Sequence, residues 1–146
     1  ADNGHLWAVR HASVVEIDRA GILPATFSAM TDAVYSIADL LAQRHNIQLS
    51  MVLIDGNLLP PLDVPCQAVI SGDSRSLSIA AASVLAKVAR DEVMRDLANT
   101  YPDYGWQTNA GYGTKSHQNA LQEFGVTPHH RKSFAPIKNR LKTGPR

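Results

Sequence analysis

The chain has 146 residues, 45% of them hydrophobic, enough for one domain with a real core. Its single cysteine, Cys66, excludes an intrachain disulfide, suits a reducing compartment and reads as a small buried apolar residue. No apolar run approaches the ~18 residues of a membrane span and no signal peptide is visible, so a cytoplasmic protein with no membrane partner is expected. Net charge is only +1, but it is unevenly spread. Residues 1–114 carry 7 basic and 12 acidic side chains, and residues 115–146 carry 7 basic and 1 acidic. A basic tail on an acidic body would suit phosphates held beside a metal site; a solvated, irregular tail fits the charge equally well. The chain opens on Ala1 rather than Met, which raises the expectation of a preceding segment.

In chain order, Leu6-Trp7-Ala8-Val9-Arg10-His11-Ala12 reads as a strand. Ser13-Val14-Val15-Glu16 has capping-box spacing, so a short helical turn through Ile17 and Asp18 follows, ended by Gly21. Pro24 fits the first turn of a second helix running to about Arg44, with Met30, Val34, Ile37 and Leu41 as its buried stripe. Met51-Val52-Leu53-Ile54 lacks alternation and reads as a strand buried on both faces, as in a parallel sheet. Leu59-Pro60-Pro61-Leu62 is a loop, and Cys66–Ile70 is the next buried strand. A helix from Ser76 to Leu97 follows, whose Ala80, Ala81 and Ala82 would let its backbone lie close to the sheet. Helix, strand, loop, strand, helix is an α/β pattern. A short helix from Ser116 to Phe124 ends at Gly125, and beyond Pro128 the chain reads as basic and irregular.

Both strands end on a carboxylate beside glycine, Asp55-Gly56 and Gly72-Asp73. Ligands in open α/β sheets bind beyond the carboxyl ends of strands. If the strands are neighbours, about 4.8 Å apart, the two aspartates could share Mg²⁺ or Mn²⁺, which prefer oxygen ligands. Simple Asp-Gly turns would leave the same pattern. Asp91 has Lys87 four residues before it and Arg95 four after, so a helix-surface ion pair is its better reading. The six histidines show no HxxH spacing and Cys66 has no CxxC partner, so zinc is not expected. Gly111-Tyr112-Gly113-Thr114-Lys115 presents an aromatic, a hydroxyl and a cation, suited to stacking on a sugar or base while Lys115 meets a phosphate. A core tyrosine between two turn glycines is the competing reading.

Taken together, Ile54-Asp55-Gly56-Asn57, Gly72-Asp73-Ser74 with Leu77 to Ser83, and Ala86 to Asp91 resemble bacterial ribonuclease HII. Gly111 to His117, His130-Arg131-Lys132-Ser133-Phe134-Ala135-Pro136 and the segment Trp7 to Ile22 are similar to the same family. The resemblance implies a ribonuclease H-like mixed sheet flanked by helices, with residues 1–136 as the C-terminal part of that domain and 137–146 as a basic tail. It implies an endonuclease that cuts the RNA strand of RNA·DNA hybrids and incises at single ribonucleotides in duplex DNA, leaving 5′-phosphate and 3′-hydroxyl ends, with a role in DNA replication and repair. The family uses four carboxylates and two divalent ions. Asp55 and Asp73 match its third and fourth carboxylates. Tyr112 matches the tyrosine that packs on the ribonucleotide, with Lys115 and Arg131 as further substrate-binding residues.

One departure matters. The family's first strand carries Asp-Glu-x-Gly-Arg-Gly, and no such motif occurs here. The fold is therefore expected to be incomplete at its N-terminus, and the chain alone inactive. An exposed apolar sheet edge is expected, to be covered by the missing N-terminal segment, another chain or self-association. The alternatives are a non-catalytic nucleic-acid binding module, or another nuclease of the ribonuclease H fold such as a resolvase or exonuclease.

Overall fold

Local punctuation sets the first helices. The Ser13 side chain accepts from the Glu16 N–H while Glu16 Oε2 accepts from the Ser13 N–H at 2.7 Å, and this closed capping box starts α1 (Val14–Ala20). Gly21 ends α1 and starts α2 (Ile22–His45), in whose first turn Pro24 sits, and α2 stops at Asn46 in the left-handed conformation. The protein is described by a computed structural model over residues 5–143, and the chain divides into two units, residues 1–86 and 87–146.

In the first unit, β1 (Val52–Asp55) and β2 (Cys66–Val69) pair in parallel, with Val52 opposite Cys66 and Asp55 opposite Val69. The α/β class and the parallel pairing expected from the apolar runs both hold. A parallel pair needs a crossover, supplied here by the proline-rich stretch Gly56–Pro65. The Tyr35 hydroxyl on α2 donates to Asp63 in that stretch at 3.2 Å, and Arg10 donates to Ser36 at 2.6 Å.

The covering of these elements is thinner than expected. Residues 6–12 are not a strand: a strand exists by exchanging hydrogen bonds with a neighbour, and among the described residues β1 and β2 pair only with each other. β1 is not buried on both faces, since Ile54 is buried while Leu53 is 39% exposed. The α2 stripe of Met30, Val34, Ile37 and Leu41 is half-buried, and only Ala25 of that helix is fully buried. In α3 (Leu77–Thr100), Ile79 is buried and Ala80 half-buried, but Ala81 and Ala82 face solvent, so the alanine run does not pack as a block. Cys66 is half-buried, with Sγ donating to the Val64 carbonyl at 3.1 Å.

The second unit has a conventional core. Met94 and Ala98 of α3 pack with Tyr104, Trp106 and Ala120, flanked by Leu97, Tyr101, Ala110 and Leu121. Tyr104 stacks on Trp106 at 5.1 Å between ring centroids, and Tyr101 meets Trp106 edge-on at 5.6 Å. Such pairs contribute roughly 0.5–1.5 kcal/mol each beyond burial. Trp106 opens the single turn α4 (Trp106–Asn109), and α5 (Lys115–Glu123) follows, its Thr114 side chain capping the His117 N–H. The region beyond Pro128 is not irregular throughout. It forms α6 (Ala135–Thr143), with Pro136 in the first turn, Arg140 and Lys142 in the last, and Ile137 buried.

Candidate active site

Asp55 closes β1, and the ladder continues one step past it, where the Gly56 N–H donates to the Val69 carbonyl at 3.0 Å. After β2 the chain bends through Ser71, held left-handed at φ 53° and ψ 46°, a conformation that costs a non-glycine residue about 1–2 kcal/mol. A 3-10 turn, Gly72–Ser74, follows. The Gly72 N–H donates to Asp55 Oδ1 at 2.8 Å, which fixes the turn carrying Asp73 against the end of β1. Only glycine fits there comfortably: a Cβ would lie 2.6 Å from Ile79 Cδ1 and 3.1 Å from Asp55 Oδ1. Asp73 Oδ1 accepts from the Ser74 hydroxyl at 3.2 Å, and both carboxylates are exposed.

These are hard oxygen donors, one at the end of β1 and one on the turn after β2, and they fit Mg²⁺ or Mn²⁺. Gly72 occupies one oxygen of Asp55, so a cation would be met through the other. Among the described residues no group of three or more His, Cys, Asp or Glu gathers there. An ion would complete its shell with water, phosphate or oxygens from outside these residues.

The remaining candidates belong to the second unit. Tyr112 is 77% exposed, which removes the core-tyrosine reading. Its turn is tight because Gly111, at φ 83°, leaves a Cβ only 3.2 Å from both Arg90 Nη2 and Met94 Cε. Lys115 is exposed on the first turn of α5, and the Arg131 guanidinium lies 5.0 Å over the Phe134 ring. Asp91 pairs with Lys87, as its spacing suggests, while Arg95 donates to the Asp91 backbone carbonyl at 3.3 Å instead of its carboxylate.

A family model described as Ribonuclease HII matches residues 8–137, nearly the whole chain. The chain belongs to the ribonuclease HII family. Among its relatives, the ribonuclease HII of Paracoccus denitrificans is 56% identical over 132 residues, covering 90% of this chain and 59% of that protein. That of Rhodospirillum rubrum is 52% identical over 141 residues, covering 97% of this chain and 61% of that protein. That of Paramagnetospirillum magneticum is 53% identical over 126 residues, covering 86% and 59%. The chain thus spans about three fifths of the length of these relatives. Membership accounts for the ribonuclease H-like α/β fold, of which the β1–β2 pair is the described sheet.

One group of residues in this ribonuclease HII chain was not singled out by sequence reasoning. His117 and His130 are buried, at 5% and 7% exposure, with their rings stacked 5.3 Å apart against Tyr104 and Trp106. Burial, then the neighbouring His117, hold the His130 pKa down at about 4. The two histidines lie 13 residues apart, and neither spacing nor type announces the contact. The only sequence signal was their place in the segments that resemble the family, beside Lys115 and Arg131.

Proposed function

We propose that this chain is part of an endonuclease that cuts the RNA strand of RNA·DNA hybrids and incises duplex DNA at single embedded ribonucleotides. The observation that supports this most is the corner where Asp55 closes β1 and Gly72 ties the Asp73 turn to it. Asp55 and Asp73 would hold divalent ions, Mn²⁺ or Mg²⁺. When bound, such ions stabilise charge at the phosphate and at the departing oxygen and lower the pKa of a water. The Gly72 N–H keeps the Asp55 carboxylate in one orientation. Tyr112 offers an exposed ring to the ribonucleotide, whose 2′-hydroxyl separates it from DNA. Lys115 and Arg131 meet phosphates. In the reaction a water oxygen bonds to phosphorus, the P–O3′ bond breaks, and the 3′ oxygen takes a proton, giving 5′-phosphate and 3′-hydroxyl ends.

The absence of an Asp-Glu-x-Gly-Arg-Gly motif leaves two carboxylates where the resemblance calls for four. The chain alone is therefore expected to be inactive or nearly so, and to act once a segment with that motif completes the sheet. The test is cleavage of a duplex with one embedded ribonucleotide, by the chain alone and by the chain joined to that segment from a relative. Cutting by the joined form only is expected; robust metal-dependent cutting by the chain alone would refute the half-site reading.

A further inference from the structure

We propose that Asn109, His117 and His130 form a polar spine that fixes Tyr112, Lys115 and Arg131 in one arrangement, and so act as positioning residues for the nucleic-acid surface. This rests on the reading of those three side chains as substrate contacts.

The positions of the protons determine the direction of every link. The Thr127 N–H donates to His130 Nδ1 at 3.1 Å, so Nδ1 is an acceptor and the neutral ring carries its proton on Nε2. His130 Nε2 faces His117 Nε2 at 3.4 Å. Two facing nitrogens can share one proton, so His117 Nε2 accepts and its own proton sits on Nδ1. That nitrogen lies 3.3 Å from the Tyr104 carbonyl, which can only accept. The same carbonyl accepts from Asn109 Nδ2 at 2.8 Å. Asn109 then turns outward: its Oδ1 accepts from the Gly111 N–H and its backbone carbonyl from the Tyr112 N–H, both at 2.8 Å. Every donor along this path meets an acceptor in this tautomeric arrangement, with the Thr127 hydroxyl a second contact to His130 Nδ1 at 2.9 Å; the path is buried at the two histidines and opens to solvent at Asn109. The two links through His117 are longer than the others and are the ones most sensitive to displacement.

The ends of the spine are exposed Tyr112 and Lys115 and half-buried Arg131. Tyr112 follows Gly111, Lys115 lies two residues before His117 on α5, and Arg131 follows His130. Packing alone would need neither the opposed tautomers nor Asn109. A purely structural role thus predicts that an aromatic ring at His117 serves as well.

Two measurements on the full chain decide this. Nitrogen-15 NMR at neutral pH is expected to show His130 protonated on Nε2 and His117 on Nδ1; matching tautomers would overturn the spine. Fluorescence anisotropy with an RNA·DNA hybrid is expected to show about tenfold weaker binding for His117→Phe and Asn109→Leu, the effect of one lost buried hydrogen bond. Their thermal melts should stay cooperative, and His117→Gln should recover part of the affinity. Unchanged hybrid affinity in folded His117→Phe and Asn109→Leu would overturn the proposal. If Tyr112→Ala, Lys115→Ala and Arg131→Ala also leave binding unchanged, the surface reading itself has failed; if they weaken it, the spine alone has. Should His117→Phe not fold, the affinity of Asn109→Leu and the tautomers of the unaltered chain still separate the two outcomes.

Discussion

Gly72 carries three demands at once: its N–H holds Asp55, its neighbour is Asp73, and the space for a side chain is taken by Ile79. Gly72→Ala is expected to cost about 1–3 kcal/mol by overpacking, read from the midpoint shift in urea unfolding, because Ile79 or Asp55 must move. His130 supplies a second residue-level test. Its folded pKa lies near 4 against an ordinary 6.5, so the unfolded chain binds the extra proton first as pH falls. Its stabilising contribution is complete above about pH 6.5, declines as pH drops towards 4 and levels off below. The groups facing it are His117, His129 and Tyr104. Thermal melts from pH 8 to pH 3.5 should show that slope, and His130→Phe should flatten it. At this scale the sequence marked Asp55 and Asp73 because each follows an apolar run beside glycine, and the Gly72 N–H links the Asp73 turn to Asp55. The exposure of Tyr112 was not, since a Gly-Tyr-Gly turn serves a core ring as readily as a solvent-facing one. The His117–His130 contact was invisible because only tertiary packing creates it.

Helix boundaries were readable where the signal is local. The capping box of α1 and the proline of α2 act within four residues of themselves, whereas the Thr114 cap that starts α5 at Lys115 was not read. Ser13→Ala should cost about 1 kcal/mol, seen as lower stability and loss of the hydrogen bonds that hold the Glu16 pKa below its usual value. Residues 6–12 failed as a strand for the opposite reason, since β structure is settled by a partner that local pattern does not contain. α6 was obscured by its charge: a basic stretch reads as solvated until Ile137 is seen to be buried. In the second unit the element to test is α4. Trp106→Ala removes the ring around which Tyr101, Tyr104, His117 and His130 pack and is expected to cost about 3–5 kcal/mol. A midpoint shift under a third of that would mean this aromatic core is not the anchor of its unit.

For the molecule as a whole, the decisive contrast is between well-formed elements and poorly covered apolar side chains. Leu53 is 39% exposed, Ile70 67% and Leu77 87%, all at or near the β1–β2 pair. Exposed apolar surface beside strand edges that are unpaired among the described residues invites another polypeptide. The chain alone should self-associate with rising concentration in sedimentation, and joining a segment that bears Asp-Glu-x-Gly-Arg-Gly should suppress this; a monomer at every concentration would count against an open face. The α/β class and the strand closed by Asp55 were legible as sequence, whereas Asp73 lies not at the end of β2 but on the 3-10 turn that follows it. Whether Asp55 and Asp73 are half of a metal-dependent nuclease site is decided by one assay. In the chain joined to the Asp-Glu-x-Gly-Arg-Gly segment, incision of duplex DNA containing a single ribonucleotide is measured with Mn²⁺ or Mg²⁺. Asp55→Asn and Asp73→Asn should each lower the rate by at least about a hundredfold, on the order of 3 kcal/mol of lost transition-state stabilisation, with substrate binding retained; near-normal cutting by either variant would rule out a shared metal site at these two carboxylates.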